Sequence, residues 1–220
     1  MKAGAEVHVW RAGIDLSAAE LEAAERTLAP GERERAARYR FSRDRRRAVA
    51  GRARLRTILA RYLHCDARAV KFSYGRYGKP ALADGCNAGD VRFNFSRAGG
   101  LAVCAVSWHR EVGIDVERAA APAGWGRVAE QFYTPGEARR LRALPEREAE
   151  REFIACWTRK EAYGKARGEG LAMAFADRDI PVSQPQLEGW TVRSIPIADG
   201  FCAALAVEGQ WPEYQVLALA

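Results

Sequence analysis

The chain has few of the residues that build zinc sites, disulfide frameworks and catalytic triads. Its 220 residues include only three histidines, and its five cysteines are scattered with no C-x-x-C pair. Structural zinc and disulfides are therefore not expected, and the cysteines should be reduced and mostly buried. A histidine-based catalytic triad therefore has few candidate residues.

Long apolar runs are also missing. The longest candidate, residues 101–106, is far shorter than a bilayer span and predicts a strand. The first residues, M-K-A-G-A-E, lack the hydrophobic core of a signal peptide. We therefore expect a cytoplasmic protein with no membrane partner.

Acids are scarce between Arg33 and Arg61, where only Glu34 and Asp44 interrupt a run of arginines. The formal net charge of the whole chain is +7. Such a stripe suits a polyanion, which could be a nucleic acid, a membrane surface or a phosphorylated small molecule; a solvated helix is the alternative.

The order of predicted elements occurs twice: a strand, short helices, a long helix and then strands. The long helices cover residues 43–63 and 148–166. This order predicts an α+β fold of two similar lobes, residues 1–108 and 109–220, with a cleft between them.

Two acids stand on one predicted strand, V-G-I-D-V-E at residues 112–117. Side chains alternate along a strand, so Asp115 and Glu117 share one face while Ile114 and Val116 pack the other way. Taken alone, this pattern is typical of a solvated surface.

A predicted helix over residues 157–165 carries Trp157, Glu161 and Lys165 at spacings i, i+4 and i+8, which places them along one stripe. If this helix packs on the acidic strand, three carboxylates and a lysine converge. That arrangement suits a hard divalent cation with phosphate oxygens beside it.

Together with three further motifs, these two resemble the Sfp-type 4′-phosphopantetheinyl transferases over nearly the whole chain. The five motifs are R-x-x-x-G-R-x-x-L-R at 47–56, Y-G-K-P at 77–80, F-N-F-S at 93–96, G-I-D-V-E at 113–117 and W-x-x-K-E-A-x-x-K-A-x-G-x-G-L at 157–171.

The resemblance implies a transferase that moves the phosphopantetheine arm of coenzyme A to a serine of an apo acyl, polyketide or peptidyl carrier protein, releasing 3′,5′-ADP. It implies a pseudo-dimer of two α+β lobes with the active site between them, and hence a monomer. No nucleic-acid partner is expected.

The resemblance also implies the roles of the acidic cluster. Asp115, Glu117 and Glu161 match the family's Mg²⁺ ligands, with Mn²⁺ as an alternative, and the metal can neutralise charge on the transferring phosphate. Lys165 matches the lysine that contacts the pyrophosphate, and Lys160 is expected to help hold phosphate. The base for the serine proton is either Glu161 or a metal-bound water.

Further positions match the coenzyme A site of the family. Arg47 and Arg35 match basic positions near the 3′-phosphate, and Lys79 with Pro80 matches the turn at the adenine end. The remaining expected coenzyme A contacts are Arg52, Ser96, Arg97 and Asp115.

Arg97 departs from the family, which usually has histidine at this position. Arginine can still bind phosphate, with a weaker dependence on pH, but it cannot transfer a proton.

Residues 119–132 resemble the family's carrier-docking surface, because they combine apolar and basic side chains that suit an acidic carrier helix. The candidates are Trp125, Arg127, Val128 and Phe132, although Val128 and Phe132 could be plain core residues.

A basic nucleic-acid-binding protein is the alternative from another class. It would explain the arginine stripe but not the acidic cluster, and no known nucleic-acid module is present. An inactive relative that only binds carriers is a third possibility, which the intact acids and lysine disfavour.

Overall fold

The computed structural model describes residues 6–86, 89–168, 179–180 and 186–219. Within these ranges the chain forms two four-stranded sheets and a two-stranded hairpin, each large sheet carrying a long helix. This is the mixed α+β architecture that the order of elements predicts. The end of the last sequence motif, residues 169–171, lies outside the described residues.

The first lobe begins with a strand and three helices and ends in a pair of long strands. Its elements are β1 (Val7–Gly13), α1 (Ala18–Thr27), α2 (Pro30–Ala37), α3 (Ser42–Leu63), β2 (Phe72–Tyr74), β3 (Pro80–Leu82), β4 (Val91–Ala98) and β5 (Leu101–Trp108).

The second lobe repeats this order. Its elements are β6 (Val112–Arg118), α4 (Trp125–Phe132), α5 (Pro135–Arg142), α6 (Glu146–Arg167), β7 (Gln186–Leu187), β8 (Trp190–Ile195), β9 (Phe201–Glu208) and β10 (Tyr214–Leu219).

The last strand does not stay in the second lobe. The first sheet has the order β10-β1-β5-β4 and the second β6-β9-β8-β7. β10 pairs in parallel with β1, with Val216 opposite Val9. The division at residue 108 therefore describes the order along the chain, but residues 214–219 belong to the first sheet.

Local sequence signals set the helix starts. Ser17 and Glu20 form a capping box at α1. Helix α2 begins at Pro30, because proline suits the first turn of a helix.

The two sheets face each other, and the apolar core between them joins the lobes. Val9 and Val103 of the first sheet share one buried cluster with Ile114, Val116 and Leu205 of the second. Burial of apolar surface is the main stabilising term in folding, so this contact fixes the lobes against each other.

Gly113 brings β6 directly against α6. A Cβ atom at Gly113 would lie 2.0 Å from the carbonyl oxygen of Ala162 and 2.4 Å from the amide nitrogen of Ala166. Only glycine permits this approach. The close contact places the acidic strand beside the helix that carries Glu161.

No helix within the described ranges is both long and apolar enough to cross a bilayer.

Candidate active site

Three elements bring a serine, an aspartate and a lysine into contact where the lobes meet. Ser96 Oγ on β4 donates a 2.8 Å hydrogen bond to Oδ1 of Asp115 on β6. Nζ of Lys165 on α6 lies 2.5 Å from the same Oδ1 and 3.0 Å from Ser96 Oγ. Ser96 and Asp115 are buried. The structure therefore brings together three side chains that the sequence separates widely.

Asn94 supports this contact, and sequence reasoning did not assign it a role. Its Oδ1 accepts a 2.9 Å hydrogen bond from the backbone N–H of Ile114, next to Asp115. Asn94 and Ser96 are two residues apart on β4, so both face β6. That period-two spacing is the signal that could have identified Asn94.

Two carboxylate oxygens at this site are buried and have no hydrogen-bond partner among the residues that the structure describes. They are Oδ2 of Asp115 and Oε1 of Glu161. A buried polar atom without a partner costs free energy, and carboxylate oxygens are the ligands that hard cations prefer. The donor set therefore fits a divalent cation.

The acidic cluster is not arranged as a finished metal site. Among residues 6–86, 89–168, 179–180 and 186–219, no three histidine, cysteine, aspartate or glutamate side chains are gathered as a metal-binding group. Lys165 instead satisfies Oδ1 of Asp115. A bound cation would therefore require adjustment of these side chains.

Burial dominates the electrostatics of the two glutamates. It raises the pKa of Glu161 to about 7, with Lys165 opposing the rise and the neighbouring carboxylates adding to it. The pKa of Glu117 is likewise raised to about 7, first by burial and then by Asp115. Desolvation disfavours the charged carboxylate, and nearby like charges disfavour it further.

The expectation that Lys160 helps hold phosphate is wrong for this structure. Its side chain is fully buried, and Nζ lies 2.8 Å from Oε2 of Glu137 on α5. Adjacent helical residues point about 100° apart, so Lys160 faces away from the side on which Glu161 stands. Lys160 joins α5 to α6 instead.

A cavity of about 250 Å³ between α2, α3 and β4 is lined by Arg35, Arg52, Arg97, Tyr39 and Glu32, among others. We call it the basic pocket. It contains three of the arginines expected to contact coenzyme A. Arg52 Nε lies 2.7 Å from Glu32 Oε1, and Arg97 donates a 2.9 Å hydrogen bond to the Tyr39 hydroxyl.

Arg47 does not line the basic pocket. It forms two hydrogen bonds with the carboxylate of Asp15, of 2.6 and 2.8 Å. The hydrogen bond from Arg47 also lowers the pKa of Asp15. The sequence places Arg47 near the 3′-phosphate, whereas in the structure its guanidinium is already occupied by a carboxylate.

Lys79 connects the first lobe to the end of α6. Its Nζ lies 2.7 Å from Oε2 of Glu111 and 2.7 Å from the carbonyl oxygen of Ala166. Lysine near the last carbonyls of a helix is favourable because the helix dipole is negative there. Lys79 and Pro80 also line a cavity of about 200 Å³.

The four carrier-docking candidates differ in exposure, and three of them, Trp125, Val128 and Phe132, are partly buried against one apolar cluster. The rings of Trp125 and Phe132 contact Phe153 and Trp157, at 5.5 and 6.2 Å between centroids. Arg127 is exposed. Val128 lines an apolar cavity of about 380 Å³.

The walls of this cavity also include Glu117, Arg118 and Trp157. The cavity therefore adjoins the acidic cluster and is bordered by α4. Trp157 packs in its wall.

Two family models together match most of the chain. The model described as 4′-phosphopantetheinyl transferase superfamily matches residues 111–219. The model described as 4′-phosphopantetheinyl transferase, N-terminal, matches residues 15–109. The two matches meet near the boundary between the lobes.

Several curated proteins are similar to the chain. The 4′-phosphopantetheinyl transferase HetI of Nostoc sp. is 37% identical over 210 residues, which cover 93% of this chain and 88% of that protein. The 4′-phosphopantetheinyl transferase Sfp of Bacillus subtilis is 30% identical, with 71% of this chain and 67% of that protein covered.

A human protein is also similar, the L-aminoadipate-semialdehyde dehydrogenase-phosphopantetheinyl transferase. It is 31% identical, with 78% of this chain and 58% of that protein covered. All of these relatives carry the name of a transferase. The nucleic-acid-binding alternative receives no support from them.

Proposed function

The chain belongs to the 4′-phosphopantetheinyl transferase superfamily, and on that premise we propose that it transfers the phosphopantetheine arm of coenzyme A to a serine of an apo carrier protein. The observation that carries the proposal is the contact of Ser96, Asp115 and Lys165 beside two buried carboxylate oxygens without partners. Acyl, polyketide and peptidyl carriers all offer a suitable serine.

In the proposed reaction the serine oxygen bonds to the β-phosphorus of coenzyme A, and the bond from that phosphorus to the bridging oxygen breaks. The leaving group is 3′,5′-ADP. Lys165 contacts Ser96 and Asp115 from the α6 side, and because an ammonium has three N–H donors, one is left to pair with pyrophosphate oxygens. Ser96 offers a hydroxyl to the same oxygens.

Asp115, Glu117 and Glu161 would hold Mg²⁺, or Mn²⁺ in its place. When bound, the cation supplies charge neutralisation for the non-bridging phosphate oxygens. Of the chain's own groups, Glu161 is the candidate base for the serine proton, because its carboxylate belongs to the same cluster as Asp115 and Lys165.

The coenzyme end of the site is proposed to follow the edge of the first sheet. β4 is the edge strand, with Ser96 on one face and Arg97 on the other. A ligand passing along this edge could reach Ser96 with its pyrophosphate and the basic pocket with its 3′-phosphate. Arg35, Arg52 and Arg97 are assigned to that phosphate, and Arg47 is assigned a weaker role because Asp15 occupies it.

The adenine end is assigned to Lys79 and Pro80, which line a cavity of about 200 Å³. For the carrier, Arg127 is the stronger docking candidate because it is exposed, whereas Trp125, Val128 and Phe132 are partly buried against one apolar cluster. We propose a cytoplasmic monomer, since the second lobe takes the place of a partner subunit.

The test is to incubate the protein with coenzyme A, Mg²⁺ and an apo carrier protein, and to weigh the carrier by mass spectrometry. We expect a gain of one phosphopantetheine group. Asp115→Ala, Glu161→Ala and added EDTA should each lower the rate at least a hundredfold, since each removes part of the charge stabilisation. Glu148→Gln is the matched control, because Glu148 is exposed in the first turn of α6.

Binding separates the possible failures. Calorimetry with coenzyme A, and thermal unfolding with and without Mg²⁺, should show binding of both by the wild type and loss of the Mg²⁺ shift in Asp115→Ala. Absence of both transfer and coenzyme A binding, with carriers from all three classes, would refute the proposed function.

A further inference from the structure

Two exposed tyrosines place their hydroxyls on the arginines of the basic pocket. Tyr39 is 44% exposed and Tyr74 is 46% exposed. The Tyr74 hydroxyl accepts a 2.9 Å hydrogen bond from Arg35 and a shorter one from Arg52. The Tyr39 hydroxyl accepts one from Arg97. Each of the three arginines assigned to the 3′-phosphate is therefore held by a phenol.

The aromatic rings add a second restraint. The guanidinium of Arg35 lies 5.1 Å from the ring centroid of Tyr74, and that of Arg97 lies 5.6 Å from the centroid of Tyr39. Both distances are within the range of cation–π attraction. Because a guanidinium has five N–H donors, one bond to a hydroxyl leaves others for a ligand.

The phenols hold these arginines without cancelling their charge. Arg35 and Arg97 have no carboxylate within salt-bridge distance in the described part of the chain, whereas Glu32 is shared by Arg52 and Arg56 at 2.7 and 2.8 Å. Arg47 differs from Arg35 and Arg97, because its guanidinium is paired with the carboxylate of Asp15. A neutral hydroxyl fixes the orientation of the guanidinium group and leaves its positive charge available to an anion.

Two like charges are also brought together at Tyr74. Arg35 and Arg52 both donate to one phenolic oxygen. Because Glu32 pairs with Arg52, Arg35 supplies the uncompensated positive charge here, and charge-assisted hydrogen bonds to phosphate are the strong ones. The arrangement favours a phosphate monoester, which carries close to two charges, over an uncharged hydroxyl.

We propose that Tyr39 and Tyr74 are positioning residues that hold Arg97, and Arg35 with Arg52, in place for the 3′-phosphate and thereby set a preference for coenzyme A over dephospho-coenzyme A. The inference rests on the proposed function. It assigns the discrimination to two side chains that themselves carry no charge.

The test compares Tyr39→Phe and Tyr74→Phe with the wild type, using coenzyme A and dephospho-coenzyme A as alternative donors. We expect KM for coenzyme A to rise roughly three- to tenfold in each variant, because each variant loses one or two hydrogen bonds that position the arginines. kcat and the kinetics with dephospho-coenzyme A should stay unchanged, so the preference falls. Both rings are exposed, so we expect the variants to fold.

Tyr77→Phe is the matched control. Tyr77 is 55% exposed, and Arg76 lies 5.4 Å from its ring centroid. Its hydroxyl makes no hydrogen bond within the described residues. This variant should keep the wild-type preference. Equal losses for both donors in Tyr39→Phe and Tyr74→Phe, or no loss at all, would overturn the proposal.

Calorimetry with adenosine 3′,5′-bisphosphate and with 5′-AMP tests the inference apart from transfer. The wild type should bind the bisphosphate more tightly, and the two variants should lose most of that difference. If the wild type shows the difference but transfers nothing, the proposed function fails while this inference stands. If both variants keep the difference, the inference fails.

Discussion

Helices α3 and α6 occupy corresponding places in the two lobes but carry opposite chemistry. Each has 22 residues, follows two shorter helices and packs on a four-stranded sheet. α3 contributes arginines to an open pocket, whereas α6 contributes Glu161 and Lys165 to the contact between the lobes. One scaffold therefore serves both ends of the proposed coenzyme site.

The two helices differ most in how deeply they bury charge. On α3, Arg56 is the buried charged side chain, while on α6 three consecutive residues, Arg159, Lys160 and Glu161, are at most 9% exposed. Charges interact more strongly away from water. At the proposed reacting end Ser96, Asp115 and Glu161 are likewise at most 9% exposed, whereas Arg35 at the proposed binding end is exposed to solvent.

The largest expected effect comes from breaking the buried ion pair of the second lobe. Glu137→Gln should lower the free energy of unfolding by about 3–5 kcal/mol, because it leaves the ammonium of the fully buried Lys160 without its carboxylate. Urea unfolding followed by circular dichroism measures this loss.

Glu32→Gln in the first lobe is the comparison. Arg56 keeps hydrogen bonds of 2.9 Å to the carbonyl oxygens of Ala67 and Val70, so we expect a cost of about 1–2 kcal/mol. In the second lobe, Glu137→Leu with Lys160→Met should recover only part of the lost stability, because the Glu137 carboxylate also accepts buried hydrogen bonds from the backbone N–H groups of Thr134 and Ile180. A larger loss of unfolding free energy for Glu32→Gln than for Glu137→Gln would contradict the expectation that the more deeply buried ion pair costs more to break.

The second prediction compares a glycine at each helix–sheet contact. Gly113→Ala should cost about 3 kcal/mol, because its Cβ would meet backbone atoms of α6 at 2.0 and 2.4 Å. Gly51→Ala on α3 should change stability by less than about 1 kcal/mol. There the Cβ would meet the side chains of Arg97 at 3.3 Å and Phe95 at 3.4 Å, and alanine favours the helix.

Thermal unfolding in EDTA measures the stability of both variants. Equal costs for Gly51→Ala and Gly113→Ala would mean that α6 can shift as easily as the side chains at α3. Helix α6 would then not be fixed by its contact with β6.

The sequence predicts well those features that depend on the period of a single element. Alternation along β6 separates Asp115 from Ile114, and helical spacing puts Glu161 and Lys165 on one stripe. The structure adds that Lys165 meets Asp115. Lys160 was misplaced because it is next to Glu161 in the motif, although adjacent helical residues point in different directions.

Partners from distant segments could not be predicted in this way. Tyr74 meets Arg35 and Arg52 only because the hairpin of β2 and β3 lies beside α2 and α3, and nothing in its own neighbourhood indicates this. The crossing of β10 to the first sheet is also a property of the assembled fold. Local patterns carry no information on such pairings.

The third prediction concerns the cost of the acidic cluster in the metal-free protein. Glu161 has a folded-state pKa of about 7, above its ordinary value near 4.5. Its contribution to stability is therefore complete below about pH 4.5 and is lost as the pH rises through 7.

Glu161→Gln removes the ionisable carboxylate and with it the loss of stability at high pH. In EDTA at pH 8 we expect this variant to be more stable than the wild type by about 2 kcal/mol, with the difference vanishing near pH 4.5. Glu148→Gln, on the exposed face of the same helix, should follow the wild type at every pH. A Glu161→Gln variant that is less stable at pH 8 would show that the carboxylate is not strained by its surroundings.

The smallest expected effect concerns the residue at which this chain departs from its family. Arg97→His restores the usual histidine at the edge of the basic pocket. The guanidinium keeps its charge between pH 6 and 8, whereas an imidazole ordinarily titrates near pH 6.5. Affinity for adenosine 3′,5′-bisphosphate, relative to the wild type at each pH, should fall roughly two- to fivefold from pH 6 to 8 in this variant.

Arg97→Lys separates charge from shape in the same experiment. Its ammonium stays charged over this range but lacks the planar fork, so we expect weaker binding than in the wild type with a constant ratio across pH. Taking the ratio to the wild type removes the titration of the ligand phosphate, which all variants share. A flat ratio for Arg97→His would mean that position 97 contributes no charge to phosphate binding, and the basic pocket would then depend on Arg35 and Arg52 alone.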